Sequence, residues 1–153
     1  MDKSSRLGVG ELVAGASGLL LLPVMFFDWY EVESGEGALG FGGQELFEAN
    51  AWQAFGIIDL LLFLVAAAAI ARAVLGATRA APAVRAPLGL AVAGGGALAL
   101  LLLVFRFLAV PDSVAPDVEG IDADRQLGLY LGVLLTAALA GASAPALLQF
   151  RRR

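Results

Sequence analysis

The chain has 153 residues, 59% of them hydrophobic, with a mean hydropathy of +0.83 and a net charge of −4. A soluble domain of this size would expose too much apolar surface, so we expect an integral membrane protein with a single domain over residues 1–153. The absence of cysteine and histidine excludes disulfide exchange, thiolate or imidazole metal sites and His-ligated haem. We expect no cofactor, no metal site and no nucleic-acid partner.

Four apolar stretches run along the chain, over residues 7–27, 52–75, 88–110 and 127–150. Each is close to the length of about 20 residues at which a helix rising about 1.5 Å per residue crosses a bilayer. The predicted fold class is therefore an all-α membrane protein, a bundle of four transmembrane helices surrounded by membrane lipids.

Basic residues indicate the orientation of this bundle, because Lys and Arg near helix ends are retained in the cytoplasm. On the opposite side only Arg106 and Arg125 occur, and the loops there, residues 28–50 and 111–126, hold most of the acids. We therefore predict a multi-pass plasma-membrane protein with both termini cytoplasmic. The eight basic residues on the cytoplasmic side are Lys3, Arg6, Arg72, Arg79, Arg85 and Arg151–Arg153.

The first outer loop, residues 28–50, is the longest connection and allows two local structures. Trp29–Glu33 and Ala38–Gly42 form a short β-hairpin in one interpretation, with a glycine-rich turn between them. In the other, Gln44–Ala49 forms a short interfacial helix. Both keep the loop at the membrane surface.

The second helix is predicted to begin at a capping box. Asn50 is followed three residues later by Gln53, the spacing at which each side chain can bond the other residue's backbone amide. The second outer loop, residues 111–126, has no clear periodicity, so no strand or helix is predicted there.

Charged residues within apolar stretches are costly and usually pair with one another. Asp59 is about 10 Å inside the outer interface, and Arg106 is at a similar depth in the third stretch. We predict that these two residues form an ion pair, with a direct functional role for Asp59 as the alternative. Near the cytoplasmic end, Glu11 is predicted to snorkel or to pair with Arg72 or Arg85, which would create a second polar site.

A stripe of small residues recurs every four positions in the last apolar stretch. Small residues at this spacing let a second helix approach closely. We favour a partner helix from the same chain, and a second subunit is the alternative. The stripe consists of Gly128, Gly132, Thr136, Ala140 and Ala144.

Two short motifs carry a resemblance to a known group of proteins. Asp28-Trp29-Tyr30 follows the first stretch, and Asn50–Phe55 leads into a second helix that contains Asp59. In these features the chain resembles small, uncharacterised four-helix membrane proteins of actinobacteria. The resemblance implies the four-helix topology and no particular activity.

The sequence has no recognisable catalytic set, so an enzyme is the least favoured class. We expect a non-enzymatic structural or accessory protein that assembles with itself or with a larger membrane complex. One alternative is a small cation or proton transporter or channel that uses Asp59. The other is a bundle that binds a lipid or quinone through Asp59 or Arg106.

The predicted orientation can be tested with reporters fused to the full chain. A reporter that works only in the cytoplasm should give a signal when fused after Arg153 and none when inserted near Gly37. The reverse pattern would overturn the orientation.

Overall fold

The computed structural model of the protein describes residues 8–34, 46–54, 56–78, 82–109 and 121–150. Three helices in these ranges are long and apolar enough to cross a membrane, and the first helix is a shorter apolar one of 16 residues. The fold is mostly helical with a small sheet. Its elements are α1 (Val9–Val24), β1 (Asp28–Ser34), β2 (Leu46–Asn50), α2 (Ala51–Ala54), α3 (Ile57–Thr78), α4 (Pro82–Leu108), β3 (Ile121–Arg125) and α5 (Leu127–Phe150).

The four longer helices pack in a closed ring, in which α1 and α4 each contact both α3 and α5. Small residues permit this close packing. A Cβ atom added to Gly18 of α1 would lie 2.8 Å from the carbonyl oxygen of Ala66, and one added to Gly10 would lie 2.7 Å from that of Ala142. Larger apolar side chains point outward, as expected of a bundle solvated by lipid. These exposed side chains include Leu12, Leu19, Leu60, Phe63, Leu98, Leu101 and Leu134.

The second predicted helix is divided in two. Its capping box is confirmed, since the amide of Gln53 donates to Asn50 Oδ1 and the amide of Asn50 donates to Gln53 Oε1, each at 3.2 Å. The chain then turns at Gly56, whose φ of +58° is a left-handed conformation that glycine adopts without steric cost. The membrane-length helix α3 therefore begins at Ile57 and not at Trp52.

The other helix boundaries differ modestly from the prediction. Helix α1 ends at Val24, because the chain turns there and enters β1 at Asp28. Helix α4 begins six residues earlier than predicted, at Pro82, where a missing amide hydrogen removes no helical hydrogen bond. Pro87 lies inside α4, in its second turn.

The three strands form one antiparallel sheet in the order β2-β1-β3. The predicted strand at Trp29–Glu33 is confirmed as part of β1. Its partner is Leu46–Asn50, so the interfacial helix at Gln44–Ala49 is wrong for the residues from Leu46 onward, while Ala38–Gly42 lies outside the described residues. A strand satisfies its backbone amides and carbonyl oxygens by pairing, and β1 is the partner of both β2 and β3.

The third strand, Ile121–Arg125, was missed by the sequence analysis. It pairs with β1 so that Tyr30 lies opposite Arg125 and Val32 opposite Ala123. The alternation of apolar and polar residues from Ile121 to Asp124 was the available signal, although four residues are a weak pattern. Strands from the connections over residues 28–50 and 111–126 thus form one sheet.

Two buried aromatic residues of β1 fix this sheet to the bundle. Trp29 and Tyr30 are both fully buried. The indole Nε1 of Trp29 donates to the carbonyl oxygen of Val24 at 2.8 Å, and the hydroxyl of Tyr30 donates to that of Arg106 at 2.9 Å. The amide of Gln126 donates to the carbonyl oxygen of Trp29 at 2.9 Å. We call the end of the bundle that carries this sheet the sheet end.

The small-residue stripe of α5 has more than one partner. A Cβ atom added to Gly128 or to Gly132 would lie 2.5 Å from the Trp29 ring, so these two glycines make room for an aromatic side chain and not for a helix. Ala140 does face a helix, because a Cβ atom on Gly96 of α4 would lie 3.4 Å from its Cα. Thr136 is buried, whereas Ala144 is exposed.

We predict that Gly132→Ala destabilises the protein by about 1–3 kcal/mol, because its methyl group overlaps the Trp29 ring. The matched control is Gly141→Ala on the same helix, where an added Cβ atom meets nothing within 4 Å. Both substitutions raise the helix propensity equally, so the difference in stability between the two variants reports the overlap with Trp29. Thermal unfolding in detergent measures the difference, and equal unfolding temperatures would contradict the prediction.

Candidate functional site

Asp59 lies in the first turn of α3 and is 1% exposed. Neither of its carboxylate oxygens has a hydrogen-bond partner. The Gly56 amide is near enough to act on the carboxylate electrostatically but is not in hydrogen-bond geometry. The predicted ion pair between Asp59 and Arg106 is therefore wrong. Sequence distance along a helix gives the depth of a residue but not the direction of its side chain.

Arg106 instead helps to attach the sheet to the bundle. Its carbonyl oxygen accepts the Tyr30 hydroxyl, and its positive charge acts on that hydroxyl. Arg125 also acts on Tyr30 and donates from Nε to the carbonyl oxygen of Phe107 at 2.7 Å. Burial raises the pKa of Tyr30 from its ordinary 10.0 to about 12, and the two guanidinium groups offset this effect only in part.

Glu11, Arg72 and Arg85 meet at the opposite end of the bundle. Nη2 of Arg85 lies 3.0 Å from Oε2 and 3.1 Å from Oε1 of Glu11, and Nη2 of Arg72 lies 3.4 Å from Oε1. The carboxylate of α1 therefore bonds α3 and α4 at once. The sequence proposed either arginine as the partner, whereas the structure uses both. We call this the basic end.

Gly89 of α4 leaves the space that the Arg72 side chain occupies. A Cβ atom added to Gly89 would lie 2.9 Å from Cζ of Arg72 and 3.1 Å from its Nε. The guanidinium group therefore packs directly against the α4 backbone. Sequence reasoning missed Gly89, because a glycine in an apolar helix does not reveal which neighbour occupies its space.

A cavity of about 370 Å³ opens beside this cluster. Ser143 of α5, which is 1% exposed, is on its wall, and its hydroxyl has no hydrogen-bond partner. The sequence signal for Ser143 was its rarity, since few hydroxyl residues interrupt the apolar stretches. The cavity is lined by Gly8, Gly10, Glu11, Arg72, Ala142, Ser143, Pro145 and Ala146.

Among the residues that the structure describes, no group of three or more Asp or Glu side chains is arranged to hold a metal ion. Comparison of the sequence with protein-family models and with curated proteins finds no match in either. The resemblance to small actinobacterial membrane proteins stays a prediction. The candidate sites are therefore judged by their geometry alone.

We predict that Glu11→Gln lowers the free energy of unfolding by about 1–3 kcal/mol, because it leaves two guanidinium groups together without a counter-charge. The loss is smaller than for fully buried pairs, since the three side chains are 15–33% exposed. Glu48→Gln is the matched control, because Glu48 is exposed on β2. Similar thermal unfolding of both variants would contradict a structural role for the cluster.

The raised pKa of Tyr30 predicts that the protein loses stability at alkaline pH. Its pKa is raised by folding, so its contribution is fully present below pH 10 and is lost as the pH rises to about 12. The difference corresponds to on the order of 2–3 kcal/mol. Unfolding of the native chain and of Tyr30→Phe should be followed between pH 8 and 12. The variant, which has no phenol to ionise, should show a weaker alkaline loss, and identical profiles would refute the assignment.

Proposed function

We propose that this protein is a non-enzymatic accessory protein of the plasma membrane, which assembles with copies of itself or with a larger membrane complex. The observation that carries the proposal is the sheet built from both outer loops and fixed to the bundle by Trp29 and Tyr30. A surface that is already ordered loses little conformational entropy when a partner binds, whereas flexible loops would have to be ordered first.

The exposed charges on this surface are mainly acidic. Asp28, Glu48 and Asp124 are exposed on β1, β2 and β3, and half-buried Glu31 of β1 accepts a hydrogen bond from Gln126. Electrostatic complementarity sets specificity and encounter rate more than affinity. The proposed partner therefore presents basic groups to the sheet end.

In this proposal all four longer helices cross the membrane, with the sheet outside and the basic end in the cytoplasm. Helix α1 is about 24 Å long, shorter than a hydrocarbon core of about 30 Å, and local thinning of the bilayer absorbs the difference. At the sheet end, Trp52 contacts Phe26 and Phe63 with ring centroids 6.1 and 6.2 Å away. Exposed aromatic rings of this kind are favoured at the membrane interface.

The proposal is tested by the mass of the full chain purified in mild detergent. We expect a mass above the 15.7 kDa of one chain, from copies of the protein or from a stoichiometric partner. Trp29→Ala should release the sheet and lower this mass, whereas Trp52→Ala, which removes an exposed indole, should preserve it. A monomer without a partner in native nanodiscs would refute assembly.

A second candidate function, cation or proton transport, is favoured by the buried and unpartnered carboxylate of Asp59. An intramembrane acid is expensive to maintain and commonly serves an ion pathway. Ion flux into proteoliposomes that is abolished by Asp59→Asn and preserved by Glu48→Gln would place this function first. The third alternative is a lipid or quinone held by Asp59 or Arg106.

A further inference from the structure

Arg106 and Arg125, which we call the arginine pair, lie together at the sheet end of the bundle. Arg106 is in the last turn of α4, and Arg125 is the last residue of β3, opposite Tyr30. The positive charges of both act on the Tyr30 hydroxyl, so both guanidinium groups are near the same atom. These are the two basic residues that the sequence assigns to the outer side, and the fold brings them to one place.

The arginine pair has no counter-charge among the residues that the structure describes. The ion pairs found there belong to Glu11 at the basic end. Arg125 donates from Nε to the carbonyl oxygen of Phe107 and lies over that residue's ring, with Cζ 5.5 Å from the centroid. These contacts orient the guanidinium group while its two Nη groups make no hydrogen bond to the described residues. A guanidinium group held in this way can bind an anion with little further loss of entropy.

The side chains around the arginine pair are apolar and exposed, so the pair borders the lipid-facing surface. Phe105 and Leu108 of α4 are 58% and 72% exposed, and Leu127 of α5 is 65% exposed. The Phe107 ring contacts that of Tyr130, which is half exposed, with centroids 5.4 Å apart. Tyrosine is enriched at the membrane interface. The placement in the membrane proposed above therefore puts the arginine pair at the level of the phospholipid headgroups.

The acids of the sheet determine from which side an anion can approach. Glu31 of β1 lies opposite Glu48 of β2 and opposite Asp124 of β3, so the three carboxylates share one face of the sheet. Because successive residues of a strand alternate in direction, Tyr30 and Arg125 belong to the other face, which packs on the bundle. A free anion arriving from water meets the carboxylates first, whereas a lipid phosphate arrives from the membrane side.

We propose that the arginine pair binds the phosphate group of an anionic phospholipid in the outer leaflet. Guanidinium groups donate two parallel hydrogen bonds to phosphate oxygens, and a headgroup of net negative charge offsets the two unpaired arginines. A choline headgroup would bring a cation to the same place. The acyl chains lie along the exposed apolar side chains of α4 and α5. This inference deepens the lipid alternative given above, and it rests on the proposed membrane placement but not on assembly.

Phosphatidylglycerol is the probe, added to the full chain in uncharged detergent and compared with phosphatidylcholine of the same acyl chains. It should raise the unfolding temperature in a saturable manner, and native mass spectrometry should show it retained in preference to phosphatidylcholine. Arg106→Gln should weaken its affinity about tenfold, the factor expected for one lost hydrogen bond to a charged group. This substitution keeps the acceptor of the Tyr30 hydroxyl, which is the backbone carbonyl oxygen.

Tyr30→Phe is the matched control, because it removes the hydroxyl that bonds the end of α4 and leaves both arginines in place. It should be less stable than the native chain and still bind phosphatidylglycerol with native affinity. Loss of affinity in this control would attribute the effect to a displaced sheet and overturn the proposal.

The double variant Arg106→Gln with Arg125→Gln should bind phosphatidylglycerol no better than phosphatidylcholine. Native affinity in either arginine variant, or equal affinity of the native chain for the two lipids, would show that the proposal is wrong. Inorganic phosphate that stabilises the chain as well as phosphatidylglycerol does would overturn the assignment to a lipid. The mass of the chain in detergent reports assembly separately, so failure of the lipid site and failure of the proposed function are distinguishable.

Discussion

The fold depends on the space that Gly128 and Gly132 leave for the Trp29 ring. The ring lies so close to α5 that a Cβ atom on either glycine would be 2.5 Å from it, and the indole also bonds the last residue of α1, Val24. One side chain therefore joins the end of α1, the start of α5 and the central strand. Because β1 pairs with both other strands, the position of the whole sheet follows from this contact.

The two ends of the bundle satisfy their polar groups by different means. At the sheet end, Tyr30 and Arg125 donate to backbone carbonyl oxygens at the end of α4 and so hold the described strands to the bundle. At the basic end, Glu11 satisfies two arginines from two other helices, and polar groups are left over beside a cavity. Buried polar groups without a partner cost stability.

Asp59 remains outside both arrangements. Its carboxylate is buried in the helix ring without a hydrogen bond, although an arginine at a similar depth belongs to a neighbouring helix. Arg106 is near Tyr30 instead, because the strand that carries Tyr30 packs over the end of α4. The expected pair failed because a similar depth along two helices does not bring their side chains together, and the Tyr30 hydroxyl bonds the backbone carbonyl oxygen of Arg106 and not its guanidinium group.

Local chemistry and length determined much of this protein. Apolar length located the helices, and the Asn50–Gln53 spacing predicted a capping box. The charges of Glu11, Arg72 and Arg85 predicted a pair but not that both arginines contact the same carboxylate. Only the tertiary structure decided that Ile121–Arg125 pairs with β1, that Gly128 and Gly132 contact an indole, and that Ser143 lines a cavity. The physical reason is range: helix length and capping depend on neighbours within a few residues, whereas strand pairing, glycine clearance and cavities depend on chain segments that meet only after folding.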